Sequence, residues 1–297
     1  MTDANMGHAA QFATDAAGTA IGSFTEPFEI QSENIQKRGT ILDTNGIRGT
    51  RSHASERTRE GTYEVGGSMT FNPSPADLDI WLPRIMGAAE VTDVFNFAET
   101  LPEFAVAVDR VGKRFVYDDC KVNKATFRSR AGEFVELTLD IIGKTESTSA
   151  TAFPSLSLGV TDADDPYVHH DGVVTLVSTA RPVMDWEIEI DNALSARFTN
   201  SQTATSITPT DRIVTARFTN PYTADELDLY EQAVAGSAGT IVITNGSVST
   251  TFTFGVLQFP DLSPVVAGKQ EIPLTLEGIA RMTGSTEPLV ITNDAAA

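Results

Sequence analysis

The sequence predicts a mainly β protein, built as two tandem repeats. Each repeat is expected to be mostly strands, with a single α-helix on one side. Three observations lead there: a period-two alternation of apolar and polar residues, an internal duplication, and a single helix signal in each copy.

The strands come first. YEVGGSMTF ending at Phe71, FAVAVD from Phe104 and FVELTLDI from Phe134 alternate large apolar with polar residues. MDWEIEI from Met184, TIVIT from Thr240 and TTFTF from Thr250 do the same. Strands with one buried and one wet face read this way, as antiparallel sheets do. The helices follow Asn-Pro turns. Ser74 with Asp77, and Thr223 with Glu226, are capping-box-like starts, and Pro75 suits the first helical position. Leu78, Leu82 and Ile85 then share one stripe, as do Leu227, Tyr230 and Val234. Pro83 is expected to kink the first helix or end it early.

The duplication is read from four matches in the same order. NPSPADLDIW from Asn72 matches NPYTADELDLY from Asn220 with one inserted residue. Phe28-Glu29-Ile30 with Glu33-Asn34 matches Trp186-Glu187-Ile188 with Asp191-Asn192. FVYDDCKV from Phe115 matches FTFGVLQF from Phe252, and LTLDIIGK from Leu137 matches LTLEGIAR from Leu274, both at an offset of 137 residues. The expected organisation is an N-terminal arm over 1–25, a first domain over 26–146, a linker over 147–183, a second domain over 184–284 and a tail over 285–297. The arms are small and polar and are expected to fray. The linker, rich in Ser, Thr, Ala and Asp, is expected to carry at most one strand.

Composition then narrows the function. The 297 residues hold 40 acidic and 21 basic side chains, a formal net charge of −19, with 41% hydrophobic and 8% aromatic residues. That is a globular balance with ample chain for a core. The acidity argues against gripping nucleic acid or an anionic membrane surface, since both need Lys and Arg. It is uneven: residues 1–150 hold 15 basic and 22 acidic side chains, residues 151–297 only 6 and 18. Cys120 is the one cysteine, which excludes a disulfide framework within the chain. No apolar run approaches the roughly 18 residues that span a bilayer, and the first residues lack a signal-peptide pattern. A soluble protein made in the cytoplasm, with no membrane anchor, is expected.

No catalytic constellation emerges, so neither catalytic nor cofactor or metal residues are assigned. His169 and His170 stand among aspartates, but adjacent residues on an extended segment point to opposite faces and seldom ligate one ion. A solvated linker is the expectation there. Cys120 aligns with Leu257, which marks it as a small core hydrophobe. One segment breaks the charge pattern: RGTRSHASERTRE holds Arg48, Arg51, Arg57 and Arg59, whereas its counterpart TNSQTATSITPTDR has only Arg212. It reads either as a mobile solvated loop or as a subunit interface that pairs with carboxylates on a neighbour, since arginine suits bidentate contacts.

The stretch TREGTYEVGGSMTFNPSPADLDIWLPRIMG, Thr58 to Gly87, resembles the core of major tail tube proteins of long-tailed, non-contractile (siphovirus-type) phages. A Ser/Arg-rich loop, a long strand, a turn and a helix of the ADLDxWL kind carry the resemblance, which covers roughly residues 26–146. The second half is similar more distantly and lacks the Arg-rich loop. The resemblance implies two tandem tail-tube-like domains, each a β-sandwich with a flanking helix. It implies a virion protein that polymerises with itself as trimeric rings of pseudo-sixfold symmetry, stacked head to tail. It also implies tape-measure and tail-tip or terminator proteins as partners, and an acidic lumen that double-stranded DNA crosses without specific binding. Two other classes compete: a tail-tip or adhesion-type β-domain binding module, and an enzyme with paired carboxylates, for which the chain offers few sugar-platform aromatics.

Overall fold

A computed structural model describes residues 6–151, 153, 162–223, 229, 235–260, 263–266 and 268–295. The first part of the chain forms β1 (Gln11–Ala16), β2 (Glu26–Pro27), β3 (Ser32–Glu33), β4 (Gln36–Asp43), β5 (Thr58–Phe71) and helix α1 (Pro75–Met86). It continues through β6 (Val94–Phe95), β7 (Phe104–Asp109), β8 (Arg114–Arg130), β9 (Glu136–Gly143) and β10 (Thr145–Ser149). The second part forms β11 (Gly172–Leu176), β12 (Thr179–Arg181), β13 (Asp185–Asp191), β14 (Leu194–Arg197), β15 (Ser206–Pro209) and β16 (Ile213–Pro221). It closes with β17 (Ser237–Asn245), β18 (Val248–Gln258), β19 (Pro273–Arg281) and β20 (Leu289–Asp294). The fold is mainly β, and every ladder between named strands is antiparallel.

Alternation in the sequence becomes alternation in burial. Leu137, Leu139 and Ile141 of β9 point inward, as do Trp186, Ile188 and Ile190 of β13, while the residues between them face solvent. Strand order recurs along the chain. β1–β7–β8–β10 is matched by β11–β17–β18–β20. Likewise β3–β5–β9–β8 is matched by β13–β16–β19–β18. Even a cross-strand threonine pair repeats, with Thr70 and Thr138 hydroxyls 3.0 Å apart and Thr219 and Thr275 hydroxyls 3.4 Å apart.

Strand β8 belongs to both layers. Its first five residues pair with β10, and Lys121–Arg128 pair with β9. The bend falls at a bulge where Asp119 adopts a left-handed φ of 51°, a conformation Asp tolerates better than most residues. The layers close tightly there, because a Cβ at Gly143 would lie 2.8 Å from the Cys120 sulfur.

Helix α1 starts as its sequence dictates. The Ser74 hydroxyl accepts from the Asp77 amide at 3.1 Å, and the Asp77 carboxylate accepts from the Ser74 amide at 3.0 Å. Pro83 does not end the helix early, one of the two outcomes expected of it. Ile85 and Met86 are fully buried beyond it, and Gly87, at φ 93°, caps the last turn by donating to the Pro83 carbonyl. Trp81 anchors the helix among Phe28, Phe71 and Phe104, with ring centroids 5.3–5.9 Å away. Arg84 lies over Trp81 and Phe104 and donates to the Thr14 hydroxyl. Burial pushes its guanidinium down to about 10. The second expected helix falls outside the described residues except for Leu229, which is buried.

Both chain ends depart from the expectation of frayed arms. β1 pairs with β7 over six residues, and β20 pairs with both β18 and β6. The segment read as a linker holds β11 and β12 and buries Tyr167, whose hydroxyl meets that of Thr250 at 2.9 Å. The tail also reaches the first helix: the Asn293 amide donates to the Pro75 carbonyl and to Asp79.

The two parts share one core. Phe127 of β8 meets Phe252 of β18 edge-on at 5.1 Å, and Trp186 lies 6.3 Å from Phe252. Phe127→Ala is therefore expected to cost about 3–5 kcal/mol and to lower one cooperative thermal transition. Two separated transitions by calorimetry would show instead that the halves melt independently.

Candidate functional site

The Arg-rich segment is the tip of a hairpin made by β4 and β5. Every residue of β4 is exposed, and Ile41, Leu42 and Ile47 are 76%, 59% and 104% exposed. Three apolar side chains left in water to that degree form an exposed apolar patch on one tip. Of the four arginines singled out, the hairpin brings all onto one projection but uses them differently. Arg48 is half-buried and approaches Asp43 at 4.0 Å; Asp43 also takes a short hydrogen bond from His53. Backbone donation from Asn45, then His53, holds the Asp43 carboxyl below its usual range. Arg51, Arg57 and Arg59 are exposed and make no ion pair with any described residue.

The second half has a hairpin at the same place, β14–β15, and it is docked. Ile207 is buried, the Lys121 ammonium donates to the Ile207 carbonyl at 3.0 Å, and the Leu194 amide donates to Asn123 at 2.8 Å. The Tyr63 amide donates to the Gln202 carbonyl at 3.0 Å. Arg212, the lone arginine of that segment, donates to the Ala98 carbonyl and lies 4.4 Å from the Phe97 ring. Thus the hairpin of one half covers the other half, while the longer β4–β5 hairpin is exposed along β4 and at its tip.

A second surface is the solvent face of the six-stranded run β5–β9–β8–β13–β16–β19. Its middle seam sets β8 against β13, with Lys124 3.0 Å from Glu189 and Arg128 3.9 Å from Glu187. The Glu189 hydrogen bond, ahead of the nearby acids, raises the Lys124 ammonium above its ordinary value. Sequence reasoning missed this surface, although MDWEIEI and KATFRSR carry its two signs of charge in alternate positions.

The groups that suggested chemistry have structural partners. His169 is not a solvated linker residue: its ring bridges the Ser129 hydroxyl at 2.8 Å and the Val183 carbonyl at 3.0 Å. His170 is 85% exposed. Asp118 accepts from the Gly18 amide, and Asp119 lies 3.5 Å from Lys144. Burial pushes the Cys120 thiol far above its ordinary pKa, which keeps it protonated. Among the described residues no group of three His, Cys, Asp or Glu side chains converges to hold a metal ion. No helix among them is long and apolar enough to cross a membrane.

The described residues thus form a layered β fold with an exposed arginine hairpin and a charged sheet face. The family described as phage tail tube protein matches residues 5–280, and the chain belongs to it. It is thus a structural component of a phage virion. No curated protein matches the chain.

Arg212→Ala is expected to loosen the docked hairpin and cost about 1–3 kcal/mol, because it strands a carbonyl and a ring contact. Arg51→Ala and Arg57→Ala should leave the thermal midpoint unchanged. A midpoint lowered equally by all three would contradict the division between docked and free arginines.

Proposed function

We propose that the chain is a duplicated siphovirus-type tube domain, three copies of which close a ring of pseudo-sixfold symmetry. Rings stack head to tail into the conduit through which DNA and the tape-measure protein pass, and tail-tip and terminator proteins bound its ends. One observation carries this reading: two halves of like strand order stand side by side and share a continuous antiparallel sheet through β8 and β13. A sheet that continues across such a junction can continue across the next one, and closing the ring removes the exposed edges that otherwise recruit partners at random. Stacking is open-ended and so yields a filament.

In this reading the solvent face of the six-stranded sheet lines the bore, and its surplus of carboxylates repels phosphate over about 8 Å at physiological salt. The β4–β5 hairpin reaches a neighbouring subunit. Arg48 braces the tip on Asp43, and Arg51, Arg57 and Arg59 meet carboxylates of that neighbour, while Ile41, Leu42 and Ile47 lose their exposure to water. The family match favours this over a tail-tip or adhesion-type binding module.

Negative-stain electron microscopy of the concentrated protein tests it. Hollow filaments with a regular axial repeat and threefold end-on averages are expected. The triple change Arg51→Glu, Arg57→Glu, Arg59→Glu should abolish filaments without lowering the thermal midpoint. Chains that stay monomeric when tail tip and tape measure are supplied would move the reading to the binding module.

A further inference from the structure

The solvent face of the six-stranded sheet carries its charges in a fixed order. Across five neighbouring strands, Glu136 stands opposite Arg128, Arg128 opposite Glu187, Glu187 opposite Arg217, and Arg217 opposite Glu277. A second row repeats the arrangement, with Lys124 between Asp140 and Asp191. Side chains directly opposite in an antiparallel pair have Cβ atoms about 4.5–5.5 Å apart. Every cation in these rows therefore has a carboxylate on each flank.

Stability does not explain the pattern. Arg128 is 59% exposed, and exposed ion pairs are worth about 0–1 kcal/mol. Nor is it needed for register, because a one-residue slip would already turn Phe127, Ile188 and Leu276 out to water. What the rows do change is the field. A cation with acids at about 5 Å on both sides is cancelled well inside the screening length of about 8 Å. The same arginine without them presents a free fork to phosphate.

We infer that Glu187, with Glu136 and Glu277, masks Arg128 and Arg217, so that this face passes a polyanion without holding it. The inference rests on the tube reading only for where the property is used. Net charge alone does not produce it, since a strongly acidic protein can still offer local arginine pairs to a phosphate backbone.

The test is retention on immobilised duplex DNA at about 20 mM salt, where screening extends to about 20 Å. Wild type should pass unretained. The triple variant Glu136→Gln, Glu187→Gln, Glu277→Gln should be retained and released by salt. A charge-matched control with Glu29→Gln, Asp165→Asn and Glu271→Gln, all exposed and off this face, should pass like wild type. Adding Arg128→Gln and Arg217→Gln to the triple variant should abolish retention. Glu187→Gln alone, which unmasks both arginines on one side, serves if the triple variant does not fold and should be retained at the loading salt at which the control passes. Passage of the unmasking variants, equal retention of the control, or retention that survives loss of the arginines would each overturn the mask. Retention without wild-type filaments would sink the tube reading and leave the mask standing; filaments with an unretained triple variant would do the reverse.

Discussion

Residues Lys124–Arg128 of β8 lie in ladders on both sides at once, with β9 of their own half and with β13 of the other. Most of the remaining architecture depends on that double engagement. A strand with two partners is no longer an edge, so neither half can be withdrawn without exposing a row of unpaired amides and carbonyls. Once the strands are locked, Phe127 must lie between the halves, where Phe252 and Trp186 complete its burial. The seam therefore places the aromatic core, and the core in turn supports helix α1 through Asn192, whose amide donates to the carbonyls of Ile85 and Val122.

How much of this the sequence disclosed depends on range. Helix α1 was legible because its signals are local: Ser74, Asp77 and Pro75 act within one turn, and Gly87 closes it. The strands were legible because burial on one face imposes period two. The pairing of β8 with β13 was not, since the partners are separated by about sixty residues and period two is silent about neighbours. The same holds for the ends of the chain. QFATDA is too small and polar to look buried, yet Ala13 and Thr14 are enclosed by β7 and by Arg84. Tyr167 was hidden by its surroundings, a lone aromatic in a polar run. For the hairpin, the arginine cluster was visible as a composition break, but its exposed apolar partners Ile41, Leu42 and Ile47 carry no pattern that separates them from a buried strand.

The seam also explains where charge can be tolerated. β13 is the acidic strand of the sheet, with Asp185, Glu187, Glu189 and Asp191 on one face, and like charges in a single column repel. That column is acceptable because β8 offsets it with Lys124, Arg128 and Arg130, and because the face stays wet. Asp140 shows the cost of the same position when burial increases: desolvation, the largest influence, raises its carboxyl above the usual range despite Lys124 beside it. An acidic protein can thus keep rows of mixed charge on one face only while solvent reaches them.

The two hairpins make the final point about asymmetry. β14–β15 and β4–β5 occupy the same place in two strand orders that otherwise correspond, but one is short and docked and the other long and bare. Docking in the second half works because the first half lies beside it and offers Lys121 and Asn123 as partners. The tip of β4–β5 makes no hydrogen bond or ion pair with a described residue outside its own hairpin. The extra length, the three uncovered aliphatic residues and Arg51, Arg57 and Arg59, without an ion pair among the described residues, all fall on the one hairpin. On the ring proposed above, that difference would keep the junction within a chain distinct from the junction between chains.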